Sequence, residues 1–150
     1  IVGYRKEMDM KLSTRGKYGL YAMFYLAQHQ GEGPQSLQSI ASTGVPKQYL
    51  EQLLGNLRRA GLVTTVRGAQ GGYQIAKDPE DITLLAIMDA MEGPIELTEC
   101  VSEDSFCDRS CTCPVRHVWQ RLTDSINSEL AKITLGGMLT NHCEGEALVQ

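Results

Sequence analysis

Residues 36–75 read SLQSIASTGVPKQYLEQLLGNLRRAGLVTTVRGAQGGYQI, and this stretch decides the fold. It predicts a short helix over 37–42, a tight turn, and a second helix over 47–60 that Gly61 ends. Two helices joined by a short turn that contains glycine are typical of a helix-turn-helix. The β-branched run after Gly61, the glycine-rich turn and the next apolar run predict a β-hairpin. A hairpin directly after the second helix indicates a wing.

Helices are also predicted on both sides of this stretch. Ser13 or Thr14 caps a helix that continues to about residue 30, and a further helix covers 84–92. Four apolar residues of the first helix recur at helical spacing and are predicted to face the core: Leu20, Met23, Phe24 and Ala27. The longest helical pattern covers 114–133. The predicted fold class is mainly α with a small β-hairpin wing, a winged helix-turn-helix domain plus a long dimerisation helix.

These patterns divide the chain into five segments. The predicted bounds are 1–9 for an N-terminal extension, 10–93 for the winged helix-turn-helix domain, 94–113 for a cysteine loop, 114–140 for the long helix and a short end helix, and 141–150 for a tail. No apolar run approaches the roughly 18 residues of a membrane span, and the first segment lacks the apolar centre of a signal peptide. A cytoplasmic protein without a membrane partner is therefore expected.

Charge is divided unevenly along the chain. Residues 1–77 carry ten Lys and Arg against four Asp and Glu, whereas residues 78–150 carry four against fourteen. A basic segment suits a polyanion, so the front half is predicted to bind double-stranded DNA. A three-helix unit with a hairpin also occurs in protein-interaction modules, and a metal- or cluster-carrying module of that kind is the alternative.

Side chains that suit DNA occur at three places in the front half. In the major groove, Lys47 can reach guanine, Gln48 can reach adenine, and Glu51 can accept from a cytosine amino group. Arg67, at the base of the wing turn, suits a minor groove or phosphates. The first turn of the first helix suits a phosphate through its side chains and backbone N–H groups. The predicted DNA contacts are Arg15, Lys17, Tyr18, Lys47, Gln48, Tyr49, Glu51, Arg67, Gly71 and Gly72.

Four of the five cysteines lie within 100–113, with the spacing C-x6-C-x3-C-x-C. Zinc sites usually present paired knuckles with two to four intervening residues, and this loop lacks a second knuckle. Thiolates also favour iron–sulfur clusters, and free thiols can act as redox sensors. Surface thiols without a role are the remaining interpretation. The clustering favours a site for a metal, a cluster or redox chemistry.

The long helix carries a narrow apolar seam. Its members step by three or four residues, close to the period of a coiled coil: Val115, Trp119, Leu122, Ile126, Leu130 and Ile133. Pairing of two copies across a twofold axis is the favoured interpretation, and packing against the winged domain of the same chain is the alternative. A twofold homodimer also matches a pseudo-palindromic operator.

Four stretches carry a family resemblance: MKLSTRGKYGLYAM, YLEQLLGNLRRAGLV, VRGAQGGY and CPVRHVW. From about residue 10 to 139 the chain resembles the winged helix-turn-helix regulators grouped around the iron–sulfur cluster regulator IscR, the nitric-oxide sensor NsrR and the cysteine-metabolism regulator CymR. The resemblance implies a homodimeric transcriptional regulator, in which the dimer helix places each cysteine loop near the partner's DNA-binding domain. An enzyme is not expected, because the sequence shows no nucleophile–base constellation and no phosphate loop. Cluster-binding members use three cysteines, and Cys100, Cys107 and Cys113 fall on those positions.

The chain departs from the cluster-binding members at the fourth ligand. Arg116 stands where IscR has a histidine ligand, with His117 one place on, and Lys17 stands where NsrR uses an aspartate. The fourth ligand is therefore open between His117, Cys111 and a carboxylate of the loop. The expected cofactor is an iron–sulfur cluster, with [2Fe–2S] favoured over [4Fe–4S].

Two regulatory hypotheses follow. In the first, a homodimeric repressor senses cluster status or redox and nitrosative stress through the cysteine loop. In the second, the regulator is free of a cluster, serves cysteine or sulfur metabolism, and is controlled by a protein partner or by thiol oxidation. The second hypothesis depends on the DNA-binding half, which most resembles CymR.

Overall fold

The computed structural model describes residues 13–97 and 113–143. The elements in chain order are α1 (Thr14–Gln28), α2 (Leu37–Ala41), α3 (Lys47–Arg59), β1 (Val63–Val66), β2 (Gly72–Ile75), a 3-10 helix (Pro79–Asp81), α4 (Leu84–Glu92), α5 (Pro114–Lys132) and α6 (Leu135–Cys143). The order confirms the predicted winged helix-turn-helix, with α2 and α3 as its helix pair.

Hydroxyl side chains cap three of these helices. Ser13, Ser36 and Thr83 each accept a hydrogen bond from a backbone N–H in the first turn of α1, α2 and α4 respectively. Helix α3 differs, because Pro46 precedes its first residue as the N-cap and makes no side-chain cap. The helix begins at Lys47, as predicted. Gly61 follows α3 with a φ of +77°, as its predicted role at the helix end requires.

The wing is an antiparallel pair of strands that is attached to the start of the helix-turn-helix. Val63 pairs with Ile75 and Val66 with Gly72. Beyond this pair, the backbones of Gln35 and Tyr73 exchange two hydrogen bonds of 2.8 Å. The wing is thus held at the residue before the cap of α2.

The core lies between α1, α3 and α4. Its largest fully buried side chains include Met23, Leu26, Ile40, Leu50, Leu54 and Ile87. Met23 and Ala27 face it as predicted, but Leu20 and Phe24 are only half-buried. These two residues also line a groove of about 500 Å³ with the end of α5 and the start of α6. Leu20 packs against the core as predicted, whereas Phe24 contributes to the groove.

Helix α4 packs closely on α1 because α1 carries two glycines at the contact. A Cβ atom on Gly19 would overlap the buried Met91 side chain, and one on Gly16 would lie 2.9 Å from Met88 Cε and 2.8 Å from Glu92 Oε1. The small residues let the two helix axes approach. The C-terminal end of α4 therefore lies over the N-terminal turn of α1.

The end of α5 is fastened to the winged domain. Leu84 N–H donates to the Ile133 carbonyl at 2.8 Å, and Leu135 N–H donates to the Ile82 carbonyl at 3.0 Å. Helix α6 then continues to Cys143, past residue 141 where the tail was predicted to begin. Within 13–97 and 113–143, no helix is long and apolar enough to cross a membrane.

Candidate nucleic-acid interface

The start of α3 presents polar side chains over an apolar base. Leu50, Leu53 and Leu54 are buried, whereas the neighbouring side chains on the other face are exposed. The exposed residues of this first part of the helix are Lys47, Gln48, Tyr49, Glu51 and Gln52. A helix held by its leucines and polar on its outer face has the form that a recognition helix needs to enter a major groove.

The first turn of α1 lies beside the start of α3. The rings of Tyr18 and Tyr49 are 6.3 Å apart between centroids and are tilted by 59°. Arg15 and Lys17 are exposed on the same turn of α1, and the Lys17 ammonium lies 5.8 Å from the centroid of the Tyr21 ring. The structure therefore brings the predicted contacts of α1 next to those of α3.

The third predicted group lies on the wing. Arg67 is exposed and directly follows β1. A Cβ on Gly71 would overlap the Val66 carbonyl oxygen, and one on Gly72 would overlap the Gln35 carbonyl oxygen. Close backbone packing thus explains why these two positions are glycine. Direct DNA contacts by Gly71 and Gly72 stay a prediction.

The N-terminal turn of α1 is occupied by a carboxylate that the sequence did not reveal. Ser13 N–H donates to Glu92 Oε1 at 3.1 Å, and the Ser13 hydroxyl hydrogen-bonds the same oxygen. Gly16 N–H donates to the Ser13 hydroxyl at 3.5 Å. The N–H groups of Ser13 and Gly16 therefore have partners inside the chain, and the exposed side chains of Arg15 and Lys17 lie on the same turn.

The described residues include only part of the predicted cysteine site. Cys100, Cys107 and Cys111 lie outside them. Cys113 is a half-buried free thiol at the N-cap of α5, and His117 is exposed in the next turn. The described part of the chain contains no cluster of three His, Cys, Asp or Glu side chains able to hold a metal ion. Cys113 thus lies at the N-terminal end of the 19-residue α5.

The predicted seam of α5 divides into two faces. Val115, Leu122 and Ile126 are 54%, 45% and 36% exposed, and Ile133 just after the helix is 41% exposed. Trp119 and Leu130 are half-buried on the face that also carries the buried Thr123. Val118, which is not a member of the predicted seam, is 54% exposed and lies between Val115 and Leu122. We call the set Val115, Val118, Leu122, Ile126 and Ile133 the outer stripe.

Comparison with known proteins agrees with this architecture. A family model described as Rrf2, iron-dependent transcriptional regulator, matches residues 12–141. The chain belongs to the Rrf2 family. Among Rrf2-type relatives, the HTH-type transcriptional regulator CymR of Bacillus subtilis is 41% identical over 138 residues, 91% of this chain and 94% of CymR. The HTH-type transcriptional regulator IscR of Aliivibrio salmonicida is 35% identical over 134 residues, 89% of this chain and 79% of IscR.

Solved structures of the Rrf2 family share the fold. T. potens IscR superposes with a TM-score of 0.75 and 42% identity, covering 95% of this chain and 96% of that one. CymR, the global cysteine regulator of B. subtilis, gives a TM-score of 0.73 with 42% identity, covering 89% and 98%. The relatives are transcriptional regulators and not enzymes. They confirm the prediction that this chain is a regulator of the IscR and CymR type.

Proposed function

We propose that the chain is a homodimeric repressor that binds a pseudo-palindromic DNA operator and responds to an iron–sulfur cluster held by its cysteine loop. The observation that carries the DNA-binding part is the exposed polar face of α3 beside the cations of α1. A DNA-binding regulator acts where the DNA is, and we assign this one to the cytoplasm.

The exposure of the outer stripe supports the proposed dimer. Five large apolar side chains are exposed along one side of α5 and just beyond its end. Exposed apolar surface that forms a continuous patch favours a protein partner. A stripe that runs along one long helix is self-complementary across a twofold axis, and a twofold dimer presents two copies of α3 to two half-sites.

Two side chains should show how the DNA is read. Gln48→Ala is expected to cost about 1–3 kcal/mol of operator binding and to relax the preference at one base pair, because an amide can read adenine.

Arg67→Ala is expected to weaken binding to all DNA sequences, because it removes a phosphate contact. The slope of log affinity against log salt concentration, the salt slope, should fall by about 1. Fluorescence anisotropy with a duplex selected from a random pool measures both effects.

Two exposed residues outside this surface serve as controls. Gln28→Ala, at the last residue of α1, removes an amide as Gln48→Ala does, and Lys132→Ala, at the last residue of α5, removes a positive charge as Arg67→Ala does. Both variants should bind the duplex as the wild-type chain does. Losses of equal size in the controls would contradict the assignment of Gln48 and Arg67.

The cluster part of the proposal draws on the ligand positions of the IscR resemblance and on Cys113. Cys100, Cys107 and Cys113 would hold the cluster, and His117 or Cys111 would supply the fourth ligand. When bound, the cluster would add a redox-active group that reacts with oxidants or nitric oxide. Cys113 is the first residue before α5, so a change at this thiolate acts directly at the start of the proposed dimer helix.

Anaerobic purification with iron, sulfide and visible absorption measurements tests the cluster. Replacement of Cys100, Cys107 or Cys113 singly by Ala should abolish the absorption, whereas Cys143→Ala should retain it. Colourless, iron-free protein after reconstitution would remove the cluster from the proposal. Retention of the cluster in the first three variants would refute the ligand assignment.

A cluster-free regulator is the second candidate, because the chain is as similar to CymR, at 41% identity, as to T. potens IscR, at 42% identity. In that case a protein partner or thiol oxidation would control DNA binding. Equal operator affinity with and without iron, together with a change on addition of peroxide or a cell-derived partner, would support this second candidate over the first.

A further inference from the structure

We infer that Glu92 is a positioning residue for DNA binding, which rests on the proposed operator-binding function. Its carboxylate accepts from Ser13 N–H at 3.1 Å and from the Ser13 hydroxyl. Ser13 in turn caps α1 through Gly16 N–H. The first turn of α1, which carries Arg15 and Lys17, is therefore held by the last residue of α4.

The position of Glu92 depends on a gap at Gly16. A Cβ on this residue would lie 2.8 Å from Glu92 Oε1 and 3.3 Å from Glu92 Cδ. Both distances are shorter than ordinary van der Waals contact, so any side chain at position 16 would displace the carboxylate. Gly16 and Ser13 together form a seat for Glu92 on α1.

The seat matters because α1 begins at the surface that meets DNA. A helix whose N-terminal N–H groups lose their partners frays at its first turn. Fraying would leave Arg15 and Lys17 ordered in only a fraction of the molecules. The apparent operator affinity would fall by that fraction, while the phosphate contacts of the bound state would not change.

The seat also connects two parts of the proposed regulator. Glu92 is followed by Gly93, whose φ of +79° ends α4, and the chain then leads toward the predicted cysteine loop. The last helical residue before that loop thus fixes the DNA-facing turn of α1. A displacement of the end of α4 would therefore reach the operator-binding surface through this carboxylate, in addition to the packing of α4 on α1.

Replacement of Glu92 by Ala in the full chain tests the inference. Operator affinity is expected to fall about fivefold, the effect of a lost helix cap of about 1 kcal/mol, with the salt slope unchanged. Glu92→Gln should restore binding, because its amide oxygen still accepts from Ser13. Glu96→Ala is the matched control, since it removes the same charge from an exposed position and should leave the affinity within twofold.

Gly16→Ala provides an independent variant that leaves Glu92 in the chain. It should lower the affinity as Glu92→Ala does, and circular dichroism should show that the helix content is retained. Glu92→Ala binding as tightly as wild type, or Glu96→Ala losing as much, would overturn the inference and leave the proposed function intact. A wild-type chain that selects no duplex from the random pool would instead overturn the proposed function.

Discussion

Replacement of Leu122 by Asp is expected to convert the proposed dimer into a monomer and to lower operator affinity at least about a hundredfold. Leu122 lies at the middle of the outer stripe and is 45% exposed. Burial of a leucine is worth about 1.5–3 kcal/mol, and a twofold interface loses this contribution from both copies. The substitution also places an unpaired carboxylate on the interface surface of each copy, which adds a desolvation cost.

The effect on DNA follows from the loss of linkage between two half-sites. Two linked DNA-binding domains bind a full operator about 10²–10⁴ times more tightly than separate domains do. A monomer of this chain would keep its fold and its contacts to one half-site but would lose that gain. Sedimentation velocity measures the oligomeric state, and anisotropy with a full and a half operator measures the affinity.

Ser128→Asp is the matched control for the Leu122 substitution. Ser128 is exposed on α5 but does not belong to the outer stripe. Its replacement introduces the same charge on the same helix and should leave both the mass and the affinity unchanged. A Leu122→Asp chain that still sediments as a dimer at micromolar concentration would contradict the assignment of the outer stripe as the interface.

The elements of the fold were predictable because their signals are local. Ser13, Ser36 and Thr83 precede their helices directly, and each hydroxyl accepts from the N–H three residues later. Gly61 ends α3 through its own φ. A cap or a helix end depends on a few adjacent residues, so a single sequence is sufficient to locate it.

The contacts between elements were less predictable because they depend on distant residues. Ser13 and Glu92 are 79 positions apart, and nothing in either neighbourhood identifies the other. Leu20 and Phe24 have the spacing of core residues, yet both also line a groove with the end of α5 and the start of α6. A periodic pattern identifies an apolar face and does not identify what covers it.

The same limit applies to α5. A single seam was predicted, but Trp119 lies on the half-buried face whereas Leu122 lies on the exposed one. The wide apolar surface of α5 thus has two parts. The half-buried part, with Trp119 and Leu130, packs toward the winged domain of the same chain, and the outer stripe is exposed. The half-buried residues fit the interpretation of packing within the chain, and self-pairing through the outer stripe stays a proposal.

Replacement of Gly72 by Ala is expected to destabilise the chain by about 1–3 kcal/mol, the range for overpacking. A Cβ at this position would overlap the carbonyl oxygen of Gln35 and lie 2.6 Å from its carbonyl carbon. These are backbone atoms and cannot move aside as the end of a side chain can. The two hydrogen bonds between Gln35 and Tyr73 would lengthen, and the wing would lose its attachment to the start of α2.

Gly55→Ala is the matched control for Gly72, because the same change meets no obstacle there. Gly55 lies in the middle of α3, and a Cβ on it would have no neighbour within 4 Å. Alanine is favoured over glycine in a helix by about 1 kcal/mol, so this variant should be more stable than the wild-type chain. Urea unfolding at one fixed protein concentration compares the two, since an oligomer unfolds in a concentration-dependent manner. Equal stability of the two variants would contradict the steric role of Gly72, because only a collision with the Gln35 backbone gives the two substitutions opposite signs.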